Sequence, residues 1–290
     1  MSDYIILTDS CSDLTEELMK ELEIDGACLK FTIDGRTYVN TADESSMKNK
    51  DFYAMLRDGK SAITTQVNAQ EFYDIFDKYL KQGKDILYIG FSSGLSGTFQ
   101  SSVIAQKDIA DKYPDRKIIV VDSLCASCGE GMLVYNAVMK KREGYTIENL
   151  ATWVENNKLH LCHWFTVDDL HHLKRGGRVS AATAVVGTML SIKPVLHVDD
   201  EGHLINVSKV RGRRQSLDTI VAKVGETAID PKAQTMFISH GDCLEDAQYV
   251  AKQIKSKYGT KKIITTYVGP VVGGHAGPGT LALFFFGTKR

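Results

Sequence analysis

Short apolar runs alternate with amphipathic segments along most of the chain, and this alternation limits the folds that the sequence can adopt. The apolar runs have the length and composition of buried strands and lie at residues 4–8, 85–91, 117–121, 235–239, 262–268 and 281–286. The amphipathic segments have helical periodicity and lie at residues 14–23, 69–81, 98–113, 130–141, 147–156, 179–192, 215–224 and 244–258. Such alternation is typical of parallel sheets covered by helices. The sequence therefore predicts an α/β fold with mainly parallel sheets.

Two stretches depart from the alternation and are predicted to be β-hairpin insertions. One spans residues 29–39 with its turn at Asp34-Gly35, and the other spans 194–210 with its turn at Glu201-Gly202. Glycine and acidic residues tolerate the left-handed backbone that tight hairpin turns need.

The length of the chain, 290 residues, favours two domains, since one domain has roughly 150 residues. We expect two α/β domains, at about 1–160 and 161–290, because two helical segments meet a new strand, LHLCHWFTV, near this point. The last strands can return to either half.

Charge and hydropathy exclude several classes of protein. Lys and Arg number 35 against 36 Asp and Glu, and this balance argues against a general nucleic-acid binder. No segment approaches the roughly 20 apolar residues of a membrane-spanning helix, and the first ten residues do not resemble a signal peptide. The six cysteines fit a reducing compartment. We expect a cytoplasmic protein with no integral membrane segment.

Hydroxyl-bearing segments precede two of the predicted helices. Ser92–Thr98 (SSGLSGT) follows a predicted strand, and its glycines and free N–H groups suit an anion at a helix start. The alternative is an ordinary helix cap, and the missing lysine argues against a nucleotide-binding P-loop. Thr64-Thr65-Gln66 precedes the predicted helix that begins at Ala69 and, taken alone, is a capping segment for that helix.

Three further features leave function open. His275 lies among small residues in GGHAGPG, where a backbone can approach a ligand beside an imidazole. Cys125 and Cys128 form a CxxC pair, which permits a redox site or two buried thiols, and no second pair supports zinc. Residues 170–215 contain eight Lys and Arg against three Asp and Glu, so they form either a docking face for an acidic partner or a solvated surface.

The order of these motifs resembles the DegV family, which are cytoplasmic fatty-acid-binding proteins of bacteria. The resemblance runs nearly end to end through DSCSDL, ITTQ, SSGLSGTF, DS, DLHHLKRGGRV, IKPVL, VRG and HAGPG. It implies two α/β domains with a long acyl chain, such as palmitate, buried between or within them. The sequence departs from the family at Thr65-Gln66-Val67, where the family usually has Ser-Gln-Pro.

The resemblance also implies roles for individual residues. Thr64, Ser96 and His275 resemble the residues that hold the fatty-acid carboxylate. The supporting positions of their loops are Thr65, Gly97, Thr98 and Gly274. The fatty acid is then a ligand, and neither a cofactor nor a metal is implied.

Some family members resemble the acyl-carrying subunit of a fatty acid kinase, in which a separate ATP-dependent enzyme phosphorylates the carboxylate. Arg175, Arg178 and Arg211 resemble the face that meets this kinase, and the chain is then a lipid-binding protein rather than an enzyme. The enzymatic alternative is a serine hydrolase of acyl esters that uses Ser96 and His275. SGLSGT is not the G-x-S-x-G elbow, and no orienting carboxylate can be assigned.

Overall fold

The computed structural model describes residues 3–179 and 191–290, and a parallel sheet organises the first part of this chain. Its strands are Tyr4–Asp9 (β1), Asp25–Ala27 (β2), Asp85–Gly90 (β6) and Ile118–Asp122 (β7). They pair in the order β2-β1-β6-β7, and every pair is parallel. All residues of β1 and β6 are buried, as expected for central strands with both faces covered.

A small antiparallel sheet contains the first hairpin. Its strands are Lys30–Ile33 (β3), Arg36–Val39 (β4) and Ala62–Thr65 (β5), in the order β4-β3-β5. Asp34 and Gly35 have φ angles of 50° and 74°, the left-handed pair that a two-residue hairpin turn requires. The predicted hairpin is confirmed, whereas β5 lies where only a capping segment was expected.

A six-stranded sheet contains the second hairpin. Its strands are Leu161–Thr166 (β8), Ile192–Val198 (β9), Leu204–Arg211 (β10), Met236–His240 (β11), Ile263–Tyr267 (β12) and Leu281–Phe286 (β13). The order is β10-β9-β8-β13-β11-β12. Among the described residues only β11 and β12 pair in parallel in this sheet. The α/β class is confirmed, but this sheet is mostly antiparallel, because a strand buried on both faces has the same apolar run in either direction.

Helices cover the sheets near their predicted positions. They are Glu16–Leu22 (α1), Asn49–Arg57 (α2), Ala69–Leu80 (α3), Thr98–Ala110 (α4), Cys128–Arg142 (α5), Ile147–Asn157 (α6), His171–Arg175 (α7), Arg213–Thr227 (α8), Leu244–Tyr258 (α9) and Pro270–Ala276 (α10). No helix was predicted at α2, α7 or α10. Residues 180–190 of the helix predicted over 179–192 lie outside the described residues. No helix of the described ranges is long and apolar enough to cross a bilayer.

Helix α5 joins the two larger sheets. It packs against β1 and β6 of the parallel sheet and against β8, β11 and β13 of the six-stranded sheet. All described strands that follow residue 160 lie in the six-stranded sheet, so β11 to β13 do not return to the first half. The division into domains at residue 160 stays a prediction.

Candidate functional site

Three residues singled out in the sequence come from distant segments and line one cavity. Thr64 lies on β5, Ser96 lies in the loop between β6 and α4, and His275 lies in the last turn of α10. The cavity volume is about 170 Å³. An apolar cavity of roughly 150 Å³ accommodates a benzene ring, so this one has room for an apolar ligand.

Thr64 and His275 contact each other directly. Thr64 Oγ1 lies 2.8 Å from His275 Nε2, a hydrogen bond between residues that are 211 positions apart in the sequence. The contact depends on a close approach of α10 to β5, since a Cβ at Gly274 would lie only 3.0 Å from Ala62 Cβ. Gly274, a predicted supporting residue, therefore acts through the packing of its helix and does not line the cavity.

The glycine-rich loop places Ser96 at the same cavity. Ser96 Oγ accepts a hydrogen bond from the Thr98 backbone N–H at 3.2 Å and lies 3.0 Å from Thr98 Oγ1. Gly97 faces Gln66, because a Cβ at Gly97 would lie 2.3 Å from Gln66 Oε1. The two hydroxyl-bearing segments thus meet through Gln66, which lines the cavity and was not predicted as a site residue.

The remaining supporting residues have different positions. Gly97 lines the cavity, whereas Thr65 and Thr98 do not. Thr65 is exposed, as expected for the residue that follows an inward-facing Thr64 on a strand. Thr98 is buried, and its side chain contacts Ser96 of the cavity wall.

Burial and nearby positive charge keep His275 neutral. Burial, together with the positive charges of Arg178 and Arg175, lowers the pKa of the imidazole from 6.5 to about 4. The ring is confined on its other edge by α7, since a Cβ at Gly176 would lie 2.1 Å from His275 Nδ1. His275 is therefore a neutral, positioned imidazole beside a region of positive charge.

Arg178 belongs to the cavity wall, which sequence reasoning missed. It lines the cavity, and its Nε donates to the Leu95 carbonyl oxygen at 3.2 Å while Nη1 donates to the Gly176 carbonyl oxygen. Gly177, with φ of 69°, turns the chain after α7 and brings Arg178 back to the site. The family resemblance grouped Arg178 with Arg175 and Arg211 as a partner face, but of these three only Arg175 and Arg211 are exposed.

Apolar side chains form most of the remaining wall. They include Phe91 and Leu95 from the first half of the chain, and Phe165, Leu173, Val271 and Phe284 from the second. The wall therefore combines a long apolar surface with a group of hydroxyl, amide, imidazole and guanidinium donors around Thr64, Ser96, Arg178 and His275, and with further polar side chains elsewhere. Such a site suits an amphipathic anion, because the donors satisfy charge while the wall excludes water.

The arrangement does not form a hydrolase triad. His275 contacts Thr64, while Ser96 contacts Thr98, so within the described residues no hydrogen bond links the serine to the imidazole. A nucleophilic serine needs a base within hydrogen-bond reach.

The CxxC pair is buried and poorly suited to redox chemistry. Burial raises the pKa of Cys125 to about 11 and raises that of Cys128 well above its ordinary value. Reactive thiols have lowered pKa values and partial exposure. Within residues 3–179 and 191–290 no group of three His, Cys, Asp or Glu residues is arranged to hold a metal ion.

Sequence comparison decides the family. A family model described as "Uncharacterised protein, DegV family" matches residues 4–288. The chain belongs to the DegV family. A DegV domain-containing protein of Clostridium perfringens is 46% identical over 290 residues, covering 100% of this chain and 99% of that relative.

Solved DegV structures have the same fold. The chain is similar to a DegV lipid binding protein from Thermotoga maritima, with a TM-score of 0.86, 27% identity and 99% of both chains covered. It is also similar to a DegV family protein from Thermus thermophilus whose structure is described by its fatty acid binding. That match has a TM-score of 0.88 and 27% identity, and it covers 99% of this chain and 100% of the other.

Proposed function

We propose that this protein binds a long-chain fatty acid in the cavity, with the carboxylate held by Thr64, Ser96 and His275. The observation that carries the proposal is the grouping of the cavity's polar side chains. Thr64 contacts His275, Gln66 contacts the loop of Ser96, and Arg178 is hydrogen-bonded beside the imidazole. The fatty acid bound by the Thermus relative has the matching division into one anionic group and a long apolar chain.

The apolar wall supplies most of the affinity. Each buried methylene contributes about 0.8 kcal/mol, so a long chain contributes more than any single polar contact. Side chains such as Phe165, Leu173 and Phe284 provide the surface against which the methylenes pack.

The polar side chains of the cavity compensate the charge of the buried carboxylate. A buried carboxylate without partners costs several kcal/mol. The Thr64 and Ser96 hydroxyls donate to it, and Arg178 provides positive charge on the same side of the cavity. His275 orients Thr64 through the 2.8 Å hydrogen bond. When its Nε2–H donates to Thr64 Oγ1, the threonine hydrogen is left to donate to the carboxylate.

Mass spectrometry of ligand extracted from the purified protein tests the proposal. We expect a long-chain fatty acid at close to one equivalent. Delipidated protein should bind added palmitic acid, while the corresponding fatty alcohol, which has the same chain without the charge, should bind more weakly. Equal affinity for the acid and the alcohol would contradict a carboxylate site.

We further propose that the chain presents its fatty acid to a separate ATP-dependent kinase and performs no chemistry itself. Arg175 and Arg211 are exposed and lie in the basic part of the sequence, outside the group of residues that line the cavity. A positively charged surface beside the ligand's polar end suits an acidic partner that must reach the carboxylate.

A further inference from the structure

The cavity has a second polar position, formed by Ser127 and Ser239, that the carboxylate site does not use. Both serines line the cavity and are buried, at 5% and 0% exposure. Ser239 lies on β11 and pairs with Ala282 of β13, so the two side chains lie on the same face of the sheet. Both residues line the cavity. A buried hydroxyl on an otherwise apolar wall is costly unless it has hydrogen-bond partners.

The hydrogen bonds among Ser239, Ser127 and Asp13 leave the Ser239 oxygen able to accept a further hydrogen bond. Ser127 Oγ donates to Asp13 Oδ2 and lies 2.9 Å from Ser239 Oγ. A serine hydroxyl has one hydrogen, so when Ser127 donates to Asp13, Ser239 donates to Ser127. Within the described residues the Ser239 oxygen then accepts no hydrogen bond, and it keeps acceptor capacity for a group in the cavity that it lines.

The backbone holds Ser127 in this position at a conformational cost. Ser127 has φ of 54° and ψ of −144°, a region that residues other than glycine rarely occupy. Its partner Asp13 is fixed in turn, because Asp13 Oδ1 accepts a hydrogen bond of 2.9 Å from the Gly269 backbone N–H. Strain of this kind persists where the surrounding structure enforces it, and it concentrates at ligand-contacting positions.

The geometry of α10 separates this position from the carboxylate site. Gly269 immediately precedes α10, and His275 lies in the last turn of the same helix. At 1.5 Å per residue, the two ends of this segment are about 9 Å apart. Ser127 is linked through Asp13 to Gly269, at the opposite end of α10 from His275. We therefore expect a fatty acid whose carboxylate is held near His275 to meet the two serines with its chain.

We propose that Ser239, supported by Ser127 and Asp13, binds a hydroxyl group on the acyl chain, so that the protein accepts mid-chain hydroxy fatty acids. The inference rests on the proposed fatty-acid binding and adds a ligand class to it. An alcohol both donates and accepts hydrogen bonds, so it pairs with Ser239 whichever way the serine hydrogens point. Without such a partner, the ligand hydroxyl would be buried unpaired against the apolar wall.

The test compares two ligands, stearic acid and stearic acid hydroxylated at its tenth carbon, by titration into delipidated protein. The wild type should bind the hydroxy acid at least as tightly as stearic acid. Ser239→Ala should weaken the hydroxy acid by roughly five- to 150-fold and leave stearic acid unchanged. Ser239→Cys keeps the volume but weakens the hydrogen bond, so its affinity for the hydroxy acid should lie between those of the wild type and Ser239→Ala. Ser216→Ala, a buried serine on α8 outside the cavity, is the matched control.

Two results would overturn the inference while leaving fatty-acid binding intact. In the first, the wild type binds stearic acid and rejects the hydroxy acid. In the second, Ser239→Ala has the same ratio of affinities for the hydroxy acid and stearic acid as the wild type. Binding of stearic acid by each variant shows that the variant is folded. A wild type that binds neither acid would overturn the proposed function as well.

Discussion

At the scale of single residues, the site depends on side chains whose hydrogen bonds cross from one half of the chain to the other. Thr64 and His275 are joined at 2.8 Å although 211 positions separate them. The sequence singled out His275 by its glycine-rich loop and Thr64 through a family resemblance, while local pattern alone described Thr64 as part of a helix cap. Arg178 and Gln66 were missed because their roles arise from a turn and from a contact between loops, neither of which leaves a periodic signal.

Thr64→Val should weaken palmitic acid binding by roughly five- to 150-fold, because one hydrogen bond to the carboxylate is lost and the volume is kept. Fluorescent fatty-acid titration of the delipidated protein measures the change. The matched control is Thr65→Val, the same substitution at the exposed neighbouring position, which should bind like the wild type. Equal loss in both variants would show that the strand, rather than the Thr64 hydroxyl, is responsible.

His275 should make the ligand-free protein less stable in acid. Its folded-state pKa of about 4 lies below its ordinary value of 6.5, so the unfolded chain binds more protons between these values. The contribution of the neutral imidazole is therefore fully present above about pH 6.5 and is lost as the pH falls toward 4. It amounts to roughly 3 kcal/mol.

Urea unfolding at a series of pH values checks this expectation. His275→Asn should flatten the fall in the free energy of unfolding between pH 6.5 and 4, relative to the wild type. Comparison with the wild type isolates His275 from the other buried histidines and carboxyl groups. An identical pH dependence in both proteins would contradict the assignment.

At the scale of elements, the sequence predicted the helices and hairpins whose ends are marked by local turn or capping residues. Asp34-Gly35 predicted the first hairpin, and α3 begins at a capping box formed by Asn68 and Glu71. Helix α10 was missed because its sequence, PVVGGHA, contains two glycines, which favour a loop. Those glycines are required by tertiary contacts with β5 and α2, and such contacts are invisible in a local pattern.

The contact between α7 and α10 should set the position of the imidazole. A Cβ at Gly176 would lie 2.1 Å from His275 Nδ1, so Gly176→Ala must displace the ring from Thr64. We expect Gly176→Ala to weaken palmitic acid binding about as much as His275→Ala does. If Gly176 acts through His275, the double variant binds no more weakly than His275→Ala alone. Additive losses would show that Gly176 acts elsewhere.

At the scale of the whole molecule, α5 lies between two sheets of different topology. The cavity is lined by strands of the six-stranded sheet and by loops that follow the strands of the parallel sheet. The α/β class followed from alternating strands and helices, whereas the division of the chain into two domains stays a prediction. The strand directions in the six-stranded sheet could not be predicted from this alternation, because β13 inserts between β8 and β11 although it is last in sequence. The cavity depends on this order, and only long-range pairing determines it.

The exposed arginines should matter for a partner and not for the ligand. Arg175→Glu with Arg211→Glu should abolish phosphorylation of the bound fatty acid by the cognate kinase and leave the copurified fatty acid in place. Arg36→Glu, a charge reversal at another exposed arginine, is the control and should retain phosphorylation. Loss of the fatty acid together with phosphorylation would show that these arginines support the ligand site instead.

A crystal structure of the protein with bound palmitic acid tests the central claim most directly. The account predicts a carboxylate within about 3 Å of Thr64 Oγ1 and Ser96 Oγ, and an acyl chain that runs past Ser239 between Phe165 and Phe284. A carboxylate placed at the opposite end of the cavity, or an acid bound outside it, would contradict the account.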